Sequence, residues 1–577
     1  MGLFSRKDKA PKPVNPALST SESNTSLRSG SSSIQSPSGT AVPARNSAGT
    51  ATTTTSAPAT PLTPFSPSSS SHHVPGYHHQ LSFASTAPPM ASRVDLPRPP
   101  DPQLDPAGYL RSLQAVRERC SIVTQKARRN ELNHFDVDMR KFPDVVSFVS
   151  NIIKRDYEPP FTSIPPHGRY QHFAVGGRDR IAHLLSTFPD DVDNTEKCRR
   201  LIDLFLVSVL LDAGAGTQWS YKSPENGRVY RRSEGIAVAS LDMFKTGIFS
   251  SNPNNKLQVD KDGLRQLTVE KMARGLQSGP GNEMTGVEGR TQLLLRLSKA
   301  LGDRKDFFGE DGRPGNMLDY ILSHPSTQAS SSLIVPITVL WTVLMDGLAP
   351  IWPPSRTAIN GVPLGDAWPC LAMPQPTPSS PSAATTSPNP SYGPFPNTTA
   401  TASPSPNAAA AVAPWESILP FHKLTQWLAY SLMQPMQSIL KIQFAGRELL
   451  TGLPEYRNGG LFVDLGVLTL RRDDELRGLR HYDDYCRRTG VRPVEVAPMF
   501  EPGDDVVVEW RGVTVGFLDM LCAELNRALA PELAGNELSL AQVLEAGSWK
   551  GGREIAEVSR PNTKEPPILI DSDGTVF

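Results

Sequence analysis

The run Leu201 to Leu211 constrains this chain most: it reads as an apolar helix that ends on an acid, Asp212. A helix that is apolar all round must lie inside a core, surrounded by other elements. An acid at the end of a buried helix has to be hydrogen-bonded, paired or protonated. The small-residue elbow Ala213-Gly214-Ala215-Gly216 follows, then two aromatics, Trp219 and Tyr221. A polar loop carries Arg228, Arg231 and Arg232, and a second helix opens at Ser233-Glu234. Acid, aromatics and arginines therefore gather where the chain leaves its own core, which is how a pocket for a small polar ligand is lined. Taken singly, Asp212 also fits a turn cap and Trp219 a core position.

Helical patterning dominates elsewhere. Leu110, Leu113, Val116, Cys120 and Val123 recur at helical spacing and predict a helix over 109–132. Further helices are expected over 145–153, 178–187, 260–277, 286–301, 316–322, 333–348, 415–440, 517–529 and 538–546. Residues 461–470 fit either a strand or a short buried helix. The clearest strand signal is VVVEWRGVTV, Val506 to Val515, with a hairpin turn near Arg511-Gly512. Strands and helices do not alternate, so a doubly wound sheet is excluded. The expected fold class is mainly α (α+β), a multi-helix core with a small C-terminal β element.

Two stretches are too poor in large apolar residues to offset the entropy of ordering. They are a Ser/Thr/Pro-rich tail over 1–103 and a low-complexity insertion over 374–414. The helical domain is thus expected in two parts, 104–373 and 415–560, with a loosely attached C-terminal tail over 561–577. Lysine plus arginine equals aspartate plus glutamate, 58 each, so no net charge draws this chain to nucleic acid. The five cysteines are scattered and no CxxC occurs, the pattern of a reducing compartment without disulfides or a structural zinc site. The first residues lack an apolar signal region, and the apolar run 333–351 is broken by Pro336, Asp346 and Gly347. A cytoplasmic protein without a membrane span is expected. No HExxH or comparable ligand spacing points to a metal, no motif points to a cofactor, and Gly176-Gly177 is not followed by the GK[ST] of a phosphate loop.

Three further segments offer polar groups for a pocket. His422, Gln426 and Tyr430 lie four apart and align along one helix side, with Lys423 beside them and Trp427 on the same helix. The turn at 453–460 presents Glu455, Tyr456, Arg457 and Asn458 together. The loop GVPLGDAWP carries Asp366 and Trp368.

Five stretches carry a resemblance: LLDAGAGTQWSY (Leu210 to Tyr221), RRSEGIAVASLDMF (Arg231 to Phe244), PFHKLTQWLAYSL (Pro420 to Leu432), LPEYRNGGL (Leu453 to Leu461) and VEWRGVTV (Val508 to Val515). Together the chain resembles a fungal and bacterial uracil catabolism family, the fourth protein of the ring-opening (URC) route. The likeness covers nearly all of 105–560. It implies a role in degrading uracil as a nitrogen source, a small uracil-derived metabolite as ligand, and other uracil-catabolism enzymes as partners. In that route the opened ring leaves a ribosylurea phosphate that must lose its sugar. A fainter likeness, at the level of a mostly helical core, is to queuosine-salvage glycosylases. The expected activity is accordingly hydrolysis of a ribosyl or ribosylurea-type intermediate. Asp212 is then the first candidate for the carboxylate beside the anomeric carbon, with Glu234, Asp366 and Glu455 as further acids and His422 as a general acid. Trp219, Tyr221 and Trp427 would stack the base or urea; Arg232, Lys423 and Arg457 would hold a phosphate. Asp366, Gln426, Tyr430, Tyr456 and Asn458 complete the expected substrate-binding set. The alternative is a non-catalytic ligand-sensing or scaffold component of the same pathway.

Overall fold

A computed structural model describes residues 94–571, apart from 217, 330–331, 377–411 and 491–493. The expected N-terminal tail therefore lies almost wholly outside the described residues, as does most of the 374–414 insertion. The chain is mainly α, with short strands in small sheets. Ser112 starts the helix Leu113–Arg128 by accepting the Ala115 N–H, and Asp193 starts Asn194–Leu210 by accepting the Glu196 N–H. From Leu201 onward Asn194–Leu210 is buried on every side. One acid interrupts its apolar surface: Asp203 pairs with Arg313 at 2.7 Å and accepts the Gly315 N–H. A single hydrophobic cluster runs from Leu113 to Ile568 and draws on both sides of the insertion. Strand Ala367–Pro369 pairs with Ile418–Pro420, which brings the two ends of that stretch side by side.

Val506 to Val515 is helical, not a hairpin. It opens the longest helix among the described residues, Asp505–Ala528, whose Val506 N–H is met by the Asp504 carboxylate. A short run buried on both sides has no period to separate strand from helix, and tertiary packing decided here. The described β elements are instead scattered. The largest sheet places Leu333–Pro336 between Gln443–Ala445, parallel, and Gln328–Ala329, antiparallel. The expected helix over 333–348 is thus a strand followed by helix Ile337–Gly347. Residues 461–470 resolve into both alternatives, the end of helix Tyr456–Asp464 and then strand Leu468–Leu470. Within the expected C-terminal tail, Leu569–Ile570 pairs with Met499–Phe500, and residues 572–577 lie outside the described residues. Among the described residues no helix is long and apolar enough to cross a membrane.

Candidate functional site

Helix Asn194–Leu210 packs along helix Lys423–Leu440, and the short helix Arg169–Phe173 packs against both and against Arg232–Thr246. Asp212 emerges at this junction. Its Oδ2 lies 2.7 Å from Nη1 of Arg169, a fully buried arginine. Arg169 Nε donates to Ser208 Oγ at 2.8 Å, and Nη1 also donates to His172 Nδ1 at 3.1 Å. Guanidinium nitrogens only donate, so Nδ1 is the acceptor and the imidazole proton sits on Nε2. Burial, followed by the Arg169 charge, brings the His172 pKa down to about 4, and the ring is neutral near pH 7. Burial alone would raise the Asp212 pKa, but the Arg169 charge, helped by Lys423, overrides it and holds the carboxyl below its usual range. The Ser233 side chain stands close enough to lower the Asp212 pKa further, yet two atoms of the pair, Asp212 Oδ1 and Arg169 Nη2, complete no protein hydrogen bond. An unmade buried hydrogen bond costs about 1–3 kcal/mol, so the arrangement holds one acceptor and one donor in reserve.

The elbow after Asp212 is fixed from a third side. Arg290, buried in helix Val287–Asp303, donates to the carbonyls of Leu211, Ala213 and Gly214 at 2.9, 2.6 and 2.9 Å. Its burial lowers its pKa to about 10.

Helix Lys423–Leu440 turns the row Lys423, Trp427 and Ser431 toward this junction. Ser431 Oγ accepts the Arg169 N–H at 3.1 Å. The Trp427 ring lies 4.6 Å from His167 and 5.7 Å from His172, while Trp549 lies 5.5 Å from His172. His167 is held by Glu545, whose Oε2 is 2.6 Å from Nδ1. Lys423 is half-buried, and its Nζ makes no hydrogen bond or ion pair among the described residues. Burial lowers its pKa and outweighs the attraction of Glu455 and Asp212.

Glu455 caps helix Tyr456–Asp464, accepting the N–H groups of Arg457 and Asn458 at 2.8 and 2.6 Å. Burial nonetheless pushes its pKa up. Arg457 is buried and donates to the Lys564 carbonyl at 2.8 Å; Arg232 donates to the Thr563 carbonyl at 2.9 Å. Among the described residues no carboxylate pairs with Arg457, and the closest to Arg232 is Glu565, at 3.8 Å. Glu234 pairs with Arg553 of helix Trp549–Ser559. That helix seats directly on the Arg457 backbone because residue 552 is glycine: a Cβ there would stand 1.9 Å from the Arg457 carbonyl oxygen. Arg232 and His422 both adopt left-handed backbone, φ 53° and 46°, and such strain in non-glycine residues gathers at functional sites.

A family model described as a protein of unknown function, DUF1688, matches residues 109–577. The chain belongs to that family. It is 41% identical over 478 residues to "Uracil catabolism protein 4" of Lachancea kluyveri, an alignment spanning 82% of this chain and 99% of the relative. It is 43% identical over 469 residues to "Protein urg3" of Schizosaccharomyces pombe, spanning 81% of this chain and 98% of that one.

Within this DUF1688 chain, the sequence-predicted residues fall into two groups. Asp212, Arg232, Glu234, Lys423, Trp427, Glu455, Tyr456 and Arg457 form one continuous electrostatic and packing neighbourhood. The others are committed elsewhere. His422 is fully buried, its Nε2 2.8 Å from the Leu110 carbonyl and its ring against Trp341; its charged neighbours are Asp366, Arg111 and Arg511. Asp366 is saturated by a two-pronged pair with Arg511, 2.8 and 2.7 Å, together with Trp368 Nε1 and the Lys423 N–H. Gln426 and Tyr430 clasp Thr451, so the expected polar row faces neither cavity nor water. The row that faces the junction lies one residue further along the same helix. Trp219 is core, donating to the Leu276 carbonyl and lying over Gly235, and Tyr221 donates to Asp242. Asn458 ties Ser548 to the Leu453 carbonyl.

Sequence reading missed Arg169, His172, His167, Arg290, Trp549 and Arg553. The segment His167 to Phe173, directly after Pro165-Pro166, was the available signal for the first three. Nothing in the sequence distinguishes Arg290 from an exposed helical arginine. Among the described residues no three His, Cys, Asp or Glu side chains converge on a metal-sized site.

Proposed function

We propose that this protein acts in uracil catabolism and hydrolyses the N-ribosyl bond of a ribosylurea-type phosphate. The pathway is the one for which the Lachancea kluyveri relative is named. The reaction rests on one observation: a nearly buried carboxylate, kept ionised by Arg169, with one oxygen and one partner nitrogen unengaged. N-glycosidic cleavage builds positive charge on the sugar, and an anion beside the anomeric carbon stabilises it or takes a proton from attacking water. Asp212 fills that role. Arg169 Nη2 donates to the ligand, and the His172 Nε2–H offers a second, permanently protonated donor beside the faces of Trp427 and Trp549. Arg232 and Arg457 take the phosphate, exchanging the carbonyl oxygens of Thr563 and Lys564 for phosphate oxygens.

The test is incubation with N-ribosylurea 5′-phosphate and assay of free urea. Wild type releases urea, and Asp212→Asn falls by about 10²–10³-fold, the usual cost of losing one preorganised charge. No release, with or without the preceding pathway enzyme, overturns the reaction. Tight binding without release would move the protein to the ligand-sensing alternative.

A further inference from the structure

The lysine of this neighbourhood is left unused by that chemistry. Its half-buried Nζ has no hydrogen-bond or ion-pair partner among the described residues, although two carboxylates are its strongest attractors. Both are already engaged: Asp212 with Arg169, and Glu455 with two backbone N–H groups. Lys423 is also the first residue of an 18-residue helix, where the positive end of the helix dipole disfavours an ammonium. The backbone before it is strained, and its own N–H is gripped by Asp366, so the side chain's root is rigid. A phosphate does not need this lysine, since Arg232 and Arg457 lack close carboxylate partners. A rigidly mounted, unpaired amine, desolvated at the positive end of a helix and facing the Arg511 charge, is the arrangement that activates a lysine toward carbonyl carbon, and it does so against the pull of the two carboxylates.

We propose that Lys423 is an imine-forming nucleophile that captures the open-chain aldehyde of an aldose 5-phosphate. The neutral Nζ attacks the aldehyde carbon, and the carbonyl oxygen takes a proton to give a carbinolamine. Nitrogen then loses its second proton as the hydroxyl leaves as water, so amine plus aldehyde gives imine plus water. The inference goes beyond the hydrolytic reading and keeps only its ligand class, a ribosyl phosphate.

The experiment uses full-length protein, ribose 5-phosphate and sodium borohydride, with peptide mapping by mass spectrometry. Borohydride delivers hydride to the imine and fixes the sugar as a secondary amine. The expected result is an adduct on Lys423 exceeding that on any exposed lysine, such as Lys441, by at least about tenfold, since each unit of lowered pKa raises the neutral fraction tenfold. Lys423→Arg, which keeps the cation, abolishes that adduct while leaving the background labelling intact. Replacing the sugar by one lacking phosphate lowers the yield. No adduct, or adducts spread evenly over exposed lysines, overturns the proposal. Because trapping is read without urea release, a failed hydrolysis assay and a failed trapping assay are distinct results.

Discussion

Two buried arginine–aspartate pairs stand close together in this protein, and they differ in how completely they are satisfied. Arg511 and Asp366 meet through two parallel contacts, and the remaining capacity of Asp366 goes to Trp368 Nε1 and the Lys423 N–H. Arg169 and Asp212 meet through one contact, with a nitrogen and an oxygen left without a protein partner. The residue types are the same, and Asp212 is only slightly more exposed than Asp366. The saturated pair joins the helix Asp505–Ala528 to the 361–369 loop and the start of helix Lys423–Leu440, and it has nothing left to offer a ligand. The open pair joins less structure and keeps polar capacity at the end of a buried helix. Buried charge alone therefore does not mark a site; unfilled hydrogen-bonding capacity beside buried charge does.

The sharpest break in this comparison is Asp366→Ala. Removing one partner of a saturated buried pair strands the Arg511 charge and costs about 3–5 kcal/mol, read as a shift in the urea midpoint. Asp212→Asn should cost clearly less stability, because an Asn keeps one acceptor for Arg169, while urea release falls by about 10²–10³-fold. If both variants lose stability equally, the distinction between the pairs fails.

Arg169→Met tests the electrostatic half of the argument. Asp212 is held below its usual range in the native protein, so activity that needs the carboxylate persists toward acid pH. Without Arg169, burial dominates and the acid limb of the pH–rate profile moves up by at least about one unit.

A partly buried network provides the calibration. His134 lies 2.8 Å from Asp474 and 2.7 Å from Asp505. Burial opposes its protonation, but these two carboxylates raise its pKa from 6.5 to about 9. A raised histidine pKa adds stability that is full below the unfolded value and vanishes as pH climbs through the folded one. Wild type should therefore lose about 1–2 kcal/mol between pH ~6.5 and ~9.5, solvent screening having reduced the full linkage value, and His134→Gln should not show this loss. The smallest effect is expected from Glu455→Ala, which removes a helix cap and costs about 1 kcal/mol in thermal melts.

Particular residues show how far the sequence could be read. The run before Asp212 has so little polar surface that burial of its helix follows at once, and an acid at its end must then be dealt with. Val506 to Val515 carried the opposite lesson. Three valines and an apolar run fit a strand, yet a segment buried on all sides has no period, and the Asp504 cap with surrounding helices made it helical. On helix Lys423–Leu440 two rows compete, each with aromatic and polar members. The expected row went to clasp Thr451, and its neighbour through Lys423, Trp427 and Ser431 went to the junction.

From the sequence alone came the mainly helical class and the buried helix with its terminal acid, because these depend on local composition and period. Tertiary structure alone decided which partner each charge received. Arg169 and Arg511 look alike in the chain; one meets its aspartate by a single prong and the other by two. That difference is set by how three helices from distant parts of the chain cross, a geometry no local pattern encodes.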